Sequence, residues 1–98
     1  MGLTYVSATV TAKDGMESEL EQALTALMVD VRAENGCIRY DLHKTESGKD
    51  FLFYEIWESM AHLEAHGSTP HMDAMRAATE DMVAGPADVK IWEAVDVA

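Results

Sequence analysis

Between Phe51 and Met75 the chain gathers more aromatic and titratable side chains than anywhere else: Phe51, Phe53, Tyr54, Glu55 and Trp57, then His62, His66 and His71. His71 is the second residue of a helix opened by Thr69-Pro70, close to the positive end of the backbone dipole, which disfavours the imidazolium. A neutral imidazole accepts a proton, so His71 is the candidate general base. His66, across the Gly67-Ser68 turn, is its candidate catalytic partner, placed to hydrogen-bond His71 or share its pocket. The competing reading has both rings bracing the turn through backbone groups. His62, one helical turn before His66, reads as solvent-facing. Spacing of i, i+4 puts His62 and His66 on one helix face, but the HExxH pattern is absent and no cysteine adjoins, so no metal site is expected.

Trp57 and Phe53 share one face of a strand, with Glu55 between them. A carboxylate among aromatic rings is costly unless paired; the expectation is an ion pair to Arg39 or Arg76, and the alternative is a protonated acid. Tyr40 either offers its hydroxyl to a ligand or packs on the sheet. Trp57, Phe53, Tyr40, Glu55 and Arg76 form the candidate substrate-binding set.

The elements that position these residues are legible as hydrophobic periodicity. Tyr5 to Ala12 alternates, with Val6, Ala8, Val10 and Ala12 on one side, which predicts a strand. Asp14 is placed to cap a helix, with Glu17 reaching back as in a capping box. Met16, Leu20, Leu24, Leu27 and Val31 mark the inner stripe of about five turns, and Asn35-Gly36 ends them. Cys37 to Lys44 is a second strand, with Ile38, Tyr40 and Leu42 on one face and Cys37 on the other. A hairpin loop from Thr45 to Asp50 leads to a third strand, Phe51 to Trp57, apolar on both faces. Ser59 caps a short helix in which Met60 and Leu63 point inward. Thr69 caps another, with Met72, Met75, Thr79 and Met82 inside, closed by Gly85-Pro86; Val89 to Val97 is the last strand. Strand, helix, two strands, helix pair, strand is the α+β, ferredoxin-like order: an antiparallel four-stranded sheet with helices on one face. The other face carries large apolar side chains, and pairing two sheets face to face would cover it, giving a homodimeric α+β barrel.

Ninety-eight residues make one domain, 1–98, with a single core. Seven Lys and Arg against eighteen Asp and Glu give a net charge of -11, which repels phosphate backbones and argues against nucleic-acid binding. No apolar run approaches the roughly 18 to 20 residues of a membrane span, and MGLTYVSATV has no basic, cleavable signal, so the expected location is cytoplasmic. Cys37 is the one cysteine and reads as a small buried hydrophobe, with a reactive thiol as the alternative.

Gly36-Cys37-Ile38-Arg39-Tyr40-Asp41-Leu42-His43, Phe53-Tyr54-Glu55-Ile56-Trp57-Glu58-Ser59, His62-Leu63-Glu64-Ala65-His66 and Thr69-Pro70-His71-Met72 together resemble the antibiotic biosynthesis monooxygenase domain, most closely the small bacterial quinol-monooxygenase-like members. The resemblance runs over essentially the whole chain. It implies a dimeric α+β barrel whose cavity is walled by the Phe53 and Trp57 face, and a cofactor-free oxygenase acting with dioxygen on a small phenolic or quinol substrate. The family also holds haem-degrading enzymes, but their iron-ligating His falls at Arg76 and their first-strand Asn has no counterpart, so no haem is expected. Polyketide-oxidising relatives use an Asn and a Tyr where this chain has Phe53 and Leu63. Two alternatives stay open: an isomerase of a small, possibly phosphorylated ketone, and a noncatalytic binding or stress-response barrel in which Met60, Met72, Met75 and Met82 fill the cavity.

Overall fold

Val6, Ala8 and Val10 turn the same side of β1 (Thr4–Thr11) toward the helices, as their alternation requires. The computed structural model, which describes residues 2–98, continues with α1 (Glu17–Ala26), α2 (Met28–Arg32), β2 (Cys37–Lys44), β3 (Asp50–Trp57), α3 (Met60–Gly67), α4 (Pro70–Thr79) and β4 (Asp88–Trp92). The strands form one antiparallel sheet in the order β2-β3-β1-β4, the ferredoxin-like arrangement. Leu20, Leu24, Leu27, Met28 and Val31 pack against Val6, Phe51, Phe53 and Trp57 to make the core.

Several local expectations change. The first helix is not continuous but breaks at Leu27. The Thr25 hydroxyl donates back to the Glu21 carbonyl at 2.7 Å, a competing bond of the kind that bends helices. Its cap position is Met16, with no side-chain cap, because Asp14 and Glu17 both turn to the Lys49 ammonium on the β2–β3 hairpin. In β2 the register shifts between Cys37 and Arg39, so Cys37 lies opposite Trp57 and on the side of Tyr40 rather than across from it. The extra residue of such a bulge moves everything before it to the other face. Met60 is exposed instead of inward-facing. The helix opened by Thr69 ends at Thr79, short of Met82, and β4 stops at Trp92, leaving Val95 and Val97 outside the sheet.

Other local expectations hold. Ser59 and Thr69 accept from the backbone N–H groups of His62 and Met72, and Pro70 opens α4. Gly36 has φ +83°, and a Cβ there would lie 2.3 Å from the His62 ring, so this turn needs glycine for conformation and for room. On the sheet face away from the helices Leu52 and Tyr54 are exposed, and Trp92 covers part of it with its indole N–H donated to Ser7 Oγ at 2.8 Å. Among the described residues no helix is long and apolar enough to cross a membrane.

Candidate active site

The α3–α4 turn projects both histidines onto one carboxylate that the sequence pattern does not single out. Glu34, in the turn after α2, takes the Nδ1–H of His66 at 2.9 Å and the Nε2–H of His71 at 2.6 Å on the same oxygen, Oε2. Its second oxygen lies 3.2 Å from His66 Nδ1. The two rings therefore share an acceptor rather than bonding each other or backbone groups. In the neutral ring, with Nδ1 donating to Glu34, Nε2 of His66 keeps its lone pair. Among the described residues that atom has no partner, yet no buried side-chain nitrogen or oxygen there is left unpaired, so Nε2 is accessible on a ring that lines the cavity.

That cavity has a volume of about 880 Å³ and lies between the sheet and the helices. Phe53, Tyr40, Glu55, His66 and Arg76 all line it. Trp57 does not: it is completely buried beneath His66, ring centroids 4.7 Å apart. His71 also stands outside the lining, behind Glu34, so the ring offered to a ligand is His66, five residues from the position that helix-dipole reasoning favours. His62 is half-buried rather than solvent-facing, its Nδ1 2.7 Å from the Ser59 hydroxyl.

Among the described residues Glu55 has no ion pair. Arg39 is held by Asp41 at 2.8 Å, and Arg76 by Asp73 and the Gly67 carbonyl at 3.1 and 2.9 Å. The partner of Glu55 is two residues along its own strand: Trp57 Nε1–H donates to Oε1 at 2.9 Å, since i and i+2 share a strand face. Burial pushes the Glu55 carboxyl up to about 7; the Trp57 bond opposes this and the Glu34 charge adds to it. Burial is also the first cause, and the Glu55 charge the second, that holds the Tyr40 phenol in its protonated form well above its ordinary range. Tyr40 stacks on Phe53 with centroids 5.0 Å apart and meets His66 edge-on at 5.6 Å. The Cys37 thiol is raised, first by burial and then by Glu34 and Glu55, the opposite of what an activated nucleophile needs.

Glu34 could have been found by asking what the two imidazoles donate to. The chain separation of 32 and 37 residues hides it from any periodicity, and only the Gly36 turn hints that this segment approaches α3. No group of three or more His, Cys, Asp or Glu among the described residues is arranged to hold a metal ion.

A ferredoxin-like sheet with an apolar cavity under its helices, lined by an imidazole whose other nitrogen is held by a carboxylate, defines the class as a small α+β domain with a cavity of small-molecule size. The chain matches the antibiotic biosynthesis monooxygenase family over residues 4–78 and belongs to that family. Rv0793 from Mycobacterium tuberculosis is 31% identical over 81 residues, covering 83% of this chain and 80% of that protein. Its solved structure superposes with a TM-score of 0.91 over 99% of both chains. PA3566 from Pseudomonas aeruginosa is 30% identical with a TM-score of 0.91, covering 98% of this chain and 97% of its own. An uncharacterized Synechocystis protein, sll1783, is 29% identical over 89 residues; the match covers 90% of this chain but 60% of that protein's length.

Proposed function

We propose that this protein is a cytoplasmic, homodimeric, cofactor-independent monooxygenase that oxidises a small phenolic or quinol substrate with dioxygen. The observation that carries the reading is His66 Nε2, unpartnered at an apolar cavity while Glu34 holds Nδ1–H. Such an imidazole removes a phenolic proton, and the resulting anion is electron-rich enough to give an electron to dioxygen. Combination of the substrate radical with superoxide forms the carbon–oxygen bond, and loss of water completes the step. For a hydroquinone with one free ring position, substrate plus dioxygen gives the hydroxyquinone plus water; the substrate supplies all four electrons, and one oxygen atom ends in each product.

In this reading His66 is the base, Glu34 orients it, and His71 supports Glu34 from behind. Phe53 and Tyr40 are the aromatic wall, and Trp57 is the floor on which His66 rests. Met72 and Met75 line the cavity without filling it, which weakens the noncatalytic alternative. Arg76, already engaged by Asp73 and Gly67, is poorly placed to receive a phosphate, which weakens the isomerase alternative. The exposed Leu52 and Tyr54 on the outer sheet face supply the dimer contact, and sedimentation of the wild type against Leu52→Glu tests it. The function is tested by aerobic incubation with a panel of hydroquinones and phenols, following oxygen uptake and the transfer of labelled oxygen into product. Uptake that persists unchanged without oxygen incorporation, or turnover under anaerobic conditions, would overturn it.

A further inference from the structure

Glu55 and Tyr40 are cross-strand partners in the β2–β3 register, and both line the cavity. Among the described residues each has a polar atom with no partner: Trp57 occupies only Oε1 of Glu55, and the Tyr40 hydroxyl bonds none of them. Because no buried polar side-chain atom among the described residues is left unsatisfied, Oε2 of Glu55 and Oη of Tyr40 are both accessible, on two residues that line the cavity. Stacking on Phe53 fixes the Tyr40 ring, and the indole bond fixes the Glu55 carboxyl, so neither group needs to reorganise when a ligand arrives.

We infer that Glu55 and Tyr40 together form a two-donor oxyanion seat, taking one oxygen of a substrate ring whose other hydroxyl faces His66, and so select neutral aromatic ligands with oxygen functions at two positions. The inference rests on the oxygenase reading for the role of His66, but the seat itself is a binding claim. It requires Glu55 to carry its proton, which its burial favours up to about pH 7. The groups that face it from the neighbouring elements act in the same direction or are already occupied. Tyr40 and Cys37 on β2 are kept protonated. Glu34, beyond α2, adds negative charge that raises Glu55, and Glu80, next to α4, lines the same cavity. His66 on α3 and Arg76 on α4 are held by Glu34 and by Asp73 with Gly67. The part of β1 that lines the cavity offers only Val6, Ala8 and Val10. A carbonyl oxygen entering this seat meets two donors while Glu55 is protonated; an ionised Glu55 would repel it.

Binding of tetramethyl-1,4-benzoquinone tests the seat without turnover. This ligand has no acidic hydrogen and no ring position open to thiol addition, so a pH dependence belongs to the protein. If only the protonated form binds, the wild-type Kd is about tenfold weaker at pH 8 than at pH 6. Glu55→Gln, whose amide can donate in place of the acid, binds within about threefold of the wild type at pH 6 and loses the pH dependence. Tyr40→Phe weakens binding by about five- to tenfold at every pH without moving the midpoint, and His66→Gln leaves the midpoint in place. Quinone binding that is flat with pH and equal in wild type, Glu55→Gln and Tyr40→Phe overturns the seat, as does failure to bind at pH 6. Oxygen uptake with quinols alongside either of those results leaves the oxygenase reading standing; a titrating quinone with no oxygen uptake leaves only the seat.

Discussion

Two glutamates under the α3–α4 turn, Glu55 buried and Glu34 partly so, are handled in opposite ways. Glu34 receives two ring N–H donors on one oxygen, while Glu55 receives a single indole N–H and sits among apolar walls with its second oxygen open. Two charge-assisted bonds support a carboxylate; one neutral donor does not offset the loss of water, and the Glu55 carboxyl rises to about 7. The same residue type thus appears on one side as an acceptor shared by two imidazoles, and on the other as a carboxyl that burial holds protonated up to about pH 7.

Breaking the first site has a larger expected effect than breaking the second. Glu34→Gln keeps one oxygen that can accept from both rings but removes the negative charge and replaces the oxygen 3.2 Å from His66 Nδ1 with a donating amide, so His66 loses its fixed tautomer. The predicted outcome is a fall in kcat of roughly a hundredfold, with quinone binding kept at pH 5, where Glu55 holds its proton, and its midpoint moved to lower pH because the Glu34 charge no longer raises Glu55, read by steady-state oxygen uptake and equilibrium titration.

The second site is read through stability. Glu55 has a folded-state pKa raised from its ordinary 4.5 to about 7, so the folded protein holds a proton that the unfolded chain releases. Its contribution is fully present below pH 4.5 and is lost as pH rises to about 7. That amounts to up to about 3 kcal/mol at full linkage. Urea denaturation of wild type and Glu55→Gln between pH 4.5 and 8 should show this difference in slope, and parallel curves would contradict it.

Trp57→Phe gives the smallest effect. It removes the bond that holds Glu55 down, so the upper end of that pH window moves higher. A lost hydrogen bond to a buried group, with a small cavity, costs about 1 to 3 kcal/mol, measured at pH 5 where Glu55 is protonated.

How far the sequence reveals this arrangement depends on the range of each interaction. β1 and β3, the Ser59 and Thr69 caps and the Gly36 stop are legible because they depend on neighbours within a few residues. The Leu27 break and the displaced Asp14 cap are not, because a threonine back-bond and a lysine from a distant hairpin decide them. Phe53, Tyr40, Glu55, His66 and Arg76 are brought to one cavity as their types suggest. Glu34 is invisible for lack of any local signature. The Trp57–Glu55 bond, by contrast, is legible in strand alternation, because residues two apart share a face.

The central claim is that His66, braced by Glu34 and open to the cavity, is the base that starts cofactor-free oxidation. Oxygen uptake by purified wild type and His66→Ala, measured with an active quinol in the presence of a metal chelator, tests it most directly. The account predicts catalysed uptake in the wild type and a loss of roughly a hundredfold to ten-thousandfold in the variant, with the fold retained by circular dichroism. Equal rates in the two proteins would contradict it.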